Sequence, residues 1–295
     1  MKDLIFEKQH DLTEEKLRSH VDIVDFYNEA TEDYQFWSKD FNMHFGYYDF
    51  SRTNPFKRDQ MLNEMNKQVL NRLNLDNEKG LLLDLGCGMG GTMRYALKKR
   101  PKLSAIGVTL SDFQVKEGNR LLNSMNGVIL KQNYNNTSLP SDAADGVVAI
   151  ESFCHSGHHI SAFKEAYRTL KPRGKLVIAD AFLKKEADEL CPGSLMAYRK
   201  LCNHWSLERL GNIHQVVREL KLVGFKEIKA EDISFRVAPS VLHVPFAILG
   251  FVFKKLFRNK VLKKESLHNL KGSFYALLSG LHMKSFGYYL ISCSK

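Results

Sequence analysis

The chain has 295 residues, 44% of them hydrophobic, with 43 Lys and Arg against 33 Asp and Glu. That length and apolar share allow one doubly wound α/β domain with a cap and a full core, and disfavour two independent domains. The net charge of +10 suits nucleic acid or an anionic membrane surface, but charge bears on partners and solubility rather than on chemistry.

Five cysteines (Cys87, Cys154, Cys191, Cys202, Cys293) stand at wide spacing with no Cys-x-x-Cys pair, so neither a disulfide framework nor a zinc site is indicated. A reducing compartment is the default, and the expected location is cytoplasmic. Met1 to His10 lack the apolar core of a signal peptide, and no run reaches the roughly 18 apolar residues of a membrane span.

Leu12, Leu17, Val21, Ile23 and Val24 predict a helix within residues 11–30. Ten aromatic rings follow between Phe26 and Phe50. Most read as a satellite core that fastens N-terminal helices to the domain, while Tyr27, Trp37, Tyr47 and Tyr48 are candidate pocket walls, because aromatic faces attract a cation. Met61, Met65, Val69, Leu70 and Leu73 predict a helix within 56–79, beside the first strand.

The run from Leu81 to Gly91 organises the rest. Leu81-Leu82-Leu83-Asp84-Leu85 reads as a buried parallel strand, and Gly86-Cys87-Gly88-Met89-Gly90-Gly91 as a sharp turn into a helix over 92–99. The first amides of that helix would face an anionic group. Gly86, Gly88 and Gly91 also satisfy the dinucleotide spacing, so the glycines alone leave two nucleotide-like ligands open.

Ser104 to Leu110 reads as the second strand. At its end, where a dinucleotide fold places an acid for the ribose, stand Thr109, Leu110, Ser111 and Asp112, then Gln114. A hydroxyl and an amide can hold ribose hydroxyls without a buried charge, and Ser111 also suits the N-cap of the next helix. Val128 to Leu130 is the third strand, followed by Lys131-Gln132-Asn133-Tyr134-Asn135-Asn136. Ala144 to Ile150 is the fourth, ending in Glu151-Ser152-Phe153-Cys154-His155. Ligands sit at the C-terminal ends of parallel strands in open sheets, so Glu151 and His155 would face a reaction centre. His158 and His159 lack ligand spacing, and no metal is expected.

A helix over 163–170, the turn Lys171-Pro172-Arg173-Gly174 with positive φ assigned to Gly174, and a strand over 175–180 come next. A connector at 183–208 stands where a substrate cap would. Residues 206–222 read as a helix, 225–235 as the sixth strand and 288–294 as the last. The stretch between those two strands is long for a connection in a compact domain. It opens with an apolar run, Val241 to Phe253, broken by Pro245 and Gly250, and continues with Lys254, Lys255, Arg258, Lys260, Lys263 and Lys264 against Glu265. Residues 241–264 suit peripheral contact with a membrane surface or a cap helix with a solvated basic edge. No nucleic-acid module is recognisable, and no nucleic-acid partner is expected. The expected organisation is a cap at 1–78, a core at 79–236, a cap insertion at 237–286 and a closing strand at 287–295.

Asp84 and the glycine turn after it resemble the first motif of class I S-adenosylmethionine (SAM) methyltransferases, in which the acid lies near the ligand's amino group. Thr109-Leu110-Ser111-Asp112-Phe113-Gln114 resembles the Thr-Leu-Ser-x-x-Gln signature of tocopherol methyltransferases and cyclopropane fatty acid synthases, which argues against NAD. Ala149 to His155 resembles the Ala-Ile-Glu-Ala-Thr-Cys-His run of sterol C-methyltransferases, and Tyr27 matches a tyrosine that approaches SAM in the cyclopropane synthases. Asn133 matches the position that meets adenine, with a slip to Asn135 left open. The resemblance implies a doubly wound, seven-stranded Rossmann-like sheet with an N-terminal helical cap and a C-terminal cap insertion. It implies SAM as cofactor and S-adenosylhomocysteine as product, held by Tyr27, Asp84, Gly86, Cys87, Gly88, Gly90, Thr109, Leu110, Ser111, Gln114, Gln132, Asn133, Tyr134 and Glu151, with Glu151 and His155 catalytic. The implied acceptor is a lipophilic small molecule, isoprenoid or sterol-like and methylated on carbon; N- or O-methylation of a soluble natural product is the alternative.

Overall fold

Apolar runs bounded by glycine, proline and acids become the strands of one sheet in the computed structural model, which describes residues 37–75, 79–155, 159–205, 207, 209–257 and 264–295. The first half of the described chain contains α1 (Arg58–Leu73), β1 (Leu81–Leu85), α2 (Gly91–Lys99), β2 (Ser104–Thr109), α3 (Asp112–Leu122), β3 (Gly127–Lys131) and β4 (Ala144–Ile150). The second contains α4 (His159–Thr169), β5 (Leu170–Leu183), α5 (Pro192–His204), α6 (Ile213–Val223), β6 (Lys226–Asp232), α7 (Ser234–Val241), α8 (Val244–Phe257), α9 (Lys264–Leu281) and β7 (Phe286–Ser294). The strand order is β3-β2-β1-β4-β5-β7-β6, with β7 antiparallel to both neighbours and the other pairs parallel. The chain leaves β1 toward β2 and β3, then returns to lay β4 on the other side. That reversal opens a crevice at the C-terminal ends of β1 and β4.

Successive side chains of a strand point to opposite faces, and here both faces are covered. Leu82, Val148, Val177 and Leu290 pack with Met65, Val69, Met93 and Leu97 of α1 and α2 on one side. Their neighbours Leu83, Val147, Ile178 and Ile291 pack with Phe163, Val216 and Leu220 of α4 and α6 on the other. This is why the strands read as continuous apolar runs.

Four expectations shift. The sixth strand stops at Asp232, whose Oδ1 accepts hydrogen bonds from the Ser234 amide and hydroxyl, so that Ser234 and Phe235 open a helix instead. In the turn before the body of β5, Arg173 takes the left-handed φ of 69°, not Gly174. Glycine is needed at 174 for close approach, since a Cβ there would lie 2.9 Å from the Lys171 carbonyl oxygen. The helix expected over 206–222 opens only at Ile213, where Asn212 Oδ1 caps it by accepting from the His214 amide. The stretch after β6 folds as α7, α8 and α9; the helix expected at 11–30 lies outside the described residues.

Phe163 has no solvent exposure and fills the layer between α4 and the sheet. Phe163→Ala is expected to lower unfolding stability by about 3–5 kcal/mol, read as a shift of the urea midpoint at unchanged slope. A loss below about 1 kcal/mol would mean that the ring is not part of this core.

Candidate active site

The loop after β1 is held by its backbone. The amides of Gly86 and Cys87 both donate to the Val108 carbonyl at 3.0 Å, which pins the turn to β2. Gly86 has φ 88°, and a Cβ on it would lie 2.4 Å from the Ser152 Cβ, so positive φ and close approach coincide there. Gly90 is the N-cap of α2, with φ 73°.

Over this loop lies a pocket walled by Asp84, Gly86, Cys87, Gly88, Thr109, Leu110, Ser111, Gln114, Asn133, Tyr134 and Glu151. Asn135 lies on the same wall, so both asparagines of the open choice reach it. Gly90 and Gln132 are not on the wall. Gln132 is turned to Ser138, donating from Nε2 to its hydroxyl at 2.8 Å and accepting from its amide at 2.9 Å. Tyr27 lies outside the described residues, as does the His155 side chain; the His155 backbone ends a 3₁₀ turn at Phe153–His155. The Thr109 hydroxyl donates to Gln114 Oε1 at 2.6 Å, and Ser111 Oγ caps α3 by accepting from the Gln114 amide.

A segment that the sequence reading did not place in the site closes the pocket: Phe41, Asn42, Met43 and His44. It is tied down by Asn66 of α1, which has no exposure. Asn66 donates to Asn42 Oδ1 at 3.0 Å, while its own Oδ1 accepts from Thr92 at 2.8 Å and lies 3.1 Å from His44 Nε2. A polar residue inside the apolar stripe of α1 was the available signal. The expected wall rings Trp37, Tyr47 and Tyr48 line neither this pocket nor its neighbour; Trp37 packs edge-on against Phe45 and carries the Arg58 guanidinium on its face.

A second cavity of about 360 Å³ adjoins the first and shares Met43 and Glu151 with it. Its walls are mainly apolar, with Leu201, Leu207, Val237, Val241, Leu277 and Phe286 among them. Its ionisable groups among the described residues are Glu151, Cys154, Asp180 and Tyr288, with no Lys, Arg or His.

Glu151 sits just past β4 with a left-handed φ of 48°, uncommon for a residue with a side chain. Its amide donates to the Ala179 carbonyl at 2.8 Å, and its Oε1 accepts from the Phe45 amide at 2.6 Å and the Tyr288 hydroxyl at 2.7 Å. Burial still pushes its carboxyl up to about 8. Asp180 of β5, absent from the predicted set, accepts from the Ala181 amide at 2.8 Å and the Cys154 amide at 3.1 Å. Those donors restrain the effect of burial, and its carboxyl rises only to about 6. Asp84 is 3% exposed and has no hydrogen-bond donor among the described residues; burial raises it to about 7. No group of His, Cys, Asp and Glu among the described residues is arranged to hold a metal.

Residues 83–178 match the family described as methyltransferase domain. The 24-methylenesterol C-methyltransferase 2 of Arabidopsis thaliana is 26% identical over 232 residues, covering 75% of this chain and 60% of that protein. An O-methyltransferase of Pyrenophora dematioidea is 28% identical over 250 residues, covering 80% of this chain and 87% of that protein. The chain spans about three fifths of the length of the Arabidopsis sterol relatives. Among solved structures, the geranyl diphosphate C-methyltransferase of Streptomyces coelicolor A3(2) superposes with a TM-score of 0.71 at 17% identity, covering 94% of this chain and 97% of that one, a likeness of fold.

Asp84, Glu151 and Asp180 all bind a proton more tightly folded than unfolded, so the folded state holds protons that the unfolded chain releases. Stability of the ligand-free protein is therefore expected to fall as pH rises from about 6 to 8, by order of 1 kcal/mol per unit for each group still titrating. Glu151→Gln should flatten the upper part of that curve. Denaturant midpoints against pH check this, and a stability that climbs over the window would contradict it.

Proposed function

We propose that the chain, whose residues 83–178 match the methyltransferase domain, is a class I SAM-dependent methyltransferase that transfers the methyl of SAM to a carbon of an uncharged lipophilic molecule, isoprenoid or sterol-like in build. The observation that carries this reading is the apolar chamber meeting the loop pocket at Glu151 and Met43.

The pocket residues fit the cofactor. Asp84, buried and without a donor, is the counter-charge that an ammonium group would satisfy. The first amides of α2 suit a carboxylate, and Thr109 and Gln114 offer a hydroxyl and an amide for a ribose. When bound, SAM supplies a methyl already activated by a positive sulfur. What remains for the chain is orientation, exclusion of water and management of charge.

An alkene carbon that gains a methyl becomes part of a cation, which must then lose a proton as the adjacent C–H pair forms the new double bond. The chamber is furnished for both needs. The Phe45 and Tyr288 rings face a cation favourably, and Asp180, held by two amides, keeps its charge at neutral pH. Glu151 stands where the two cavities meet, with Oε1 taken by Phe45 and Tyr288 and Oε2 without a partner among the described residues. A positive charge beside it favours its ionised form, and Oε2 is then the proton acceptor. His155, one residue past Cys154 in the same turn, is proposed as the second group at this centre.

The sterol relative is by name a C-methyltransferase, which supports carbon as the target. The Streptomyces coelicolor neighbour is described with geranyl diphosphate and Mg2+. In this chain no Lys or Arg lines the chamber among the described residues, which supports an acceptor without a diphosphate. O-methylation is the second reading, supported by the Pyrenophora dematioidea relative; a hydroxyl acceptor would hand its proton to the same Glu151.

Purified protein given methyl-labelled SAM and extracts of its source cells should label a non-saponifiable lipid. Label confined to the aqueous fraction would favour the second reading. Glu151→Gln should lower transfer about 10²- to 10⁴-fold and leave SAM binding in place, whereas Asp84→Asn should weaken SAM binding itself by about tenfold or more. Equal loss of binding in both variants would remove Glu151 from the chemistry.

A further inference from the structure

We propose that the mouth of the apolar chamber docks on an anionic lipid bilayer, through an apolar rim with basic flanks built from α5, α7, α8 and α9. The proposal rests on the lipophilic-acceptor reading, and names the surface from which that acceptor enters.

Leu242, just past α7, and Leu281, at the end of α9, belong to the chamber wall and are also 57% and 69% exposed. They therefore mark where the chamber opens to the outside. Phe235 of α7 is 80% exposed, Phe246 and Leu249 of α8 are 73% and 55% exposed, and Phe274 of α9 is 47% exposed. Single exposed apolar side chains are ordinary, but a set gathered on the helices around one cavity mouth marks an interface. The segment before α1 adds to it: His243 Nε2 lies 2.6 Å from the Pro55 carbonyl oxygen, and next to Pro55 stands Phe56, 87% exposed.

Charge decides what covers this rim. The four helices carry Arg199, Lys200, Arg236, Lys254, Lys255, Lys264 and Lys271 against the single acid Glu265. A second copy of the chain seated on this face would bring two like-charged surfaces together, which opposes association. An anionic bilayer accepts both features at once, with apolar side chains among the acyl chains and lysines at the headgroups. No helix among the described residues is long and apolar enough to cross a membrane, so the contact is made from one side. An uncharged lipophile dissolves in that bilayer, and a mouth pressed against it admits the acceptor without passage through water.

The test is co-sedimentation of the full chain with phosphatidylcholine vesicles, with and without phosphatidylglycerol. Binding is expected with phosphatidylglycerol and should weaken in high salt. Phe246→Ser with Leu249→Ser, neither of which lines the chamber, should reduce it by about tenfold or more with SAM affinity unchanged, and Lys254→Glu with Lys255→Glu should do the same by charge alone. No binding to either vesicle, equal binding by wild type and both variants, or self-association abolished by the serine substitutions without any effect on vesicles would overturn the proposal. Vesicle binding requires no turnover, so its failure leaves methyl transfer standing, and absence of transfer leaves the vesicle result as measured.

Discussion

Three carboxyl groups, held out of water without an ion-pair partner among the described residues, set the terms for the rest of the structure. Asp84, Glu151 and Asp180 lie on or just past β1, β4 and β5, which are neighbours in the sheet. Each is pushed up by burial, to about 7, 8 and 6. Buried acids left this way cost stability, and a fold keeps such a cost where a ligand relieves it. The doubly wound order brings them together, because Asp84 and Glu151 stand on or just past the two strands that flank the switch point and Asp180 lies on β5, the next strand beyond β4.

The three acids differ in their hydrogen bonds, and that difference divides the work. Asp84 has no donor among the described residues, and nothing there offsets the effect of burial. Asp180 has a backbone amide on each oxygen and stays the most acidic of the three. Glu151 has both donors on one oxygen, from Phe45 and Tyr288, which fixes the carboxyl and leaves the other oxygen without a partner among the described residues. The Phe45 amide is available because Asn66 anchors the segment before it to α1 and α2. A single buried amide on α1 thus positions the Glu151 carboxyl through the chain from Asn42 to Phe45.

The loop and its strand were legible in sequence because their signals are local: an unbroken apolar run, an acid and glycines whose turn demands positive φ. Ser111 was legible as an N-cap, while Thr109 and Gln114 were read from their place at the end of the second strand and from the resemblance of Thr109 to Gln114 to a methyltransferase signature. Asp180 was not, since one acid at the end of an apolar strand reads as the start of a connector, and only the pairing of β5 with β4 puts it beside Glu151. Tyr288 belongs to the last strand, and its contact with Glu151 spans 137 residues. The aromatic segment before α1 declared a cap but not which of its residues enter the site, and Met43 and Phe45 rather than Trp37, Tyr47 or Tyr48 reach the cavities. Pattern placed an apolar and basic insertion after β6, while its use as chamber wall depends on how α7 and α9 pack against α5 and β7.

The two cavities that share Glu151 offer opposite surroundings, of the kind that the cationic cofactor and the uncharged acceptor proposed above would need. The loop pocket is polar, with backbone amides, asparagines and Asp84 around it, whereas the chamber is apolar except at the end that holds the acids. Glu151 is where these environments meet, and its left-handed backbone is the local expense of putting it there. A glycine would take that conformation freely, as it does at Gly86 and Gly90. A side chain is kept at 151 despite the strain, and the function proposed above accounts for why: a carboxylate at that boundary would meet the cofactor's charge on the polar side and take up a proton on the apolar side.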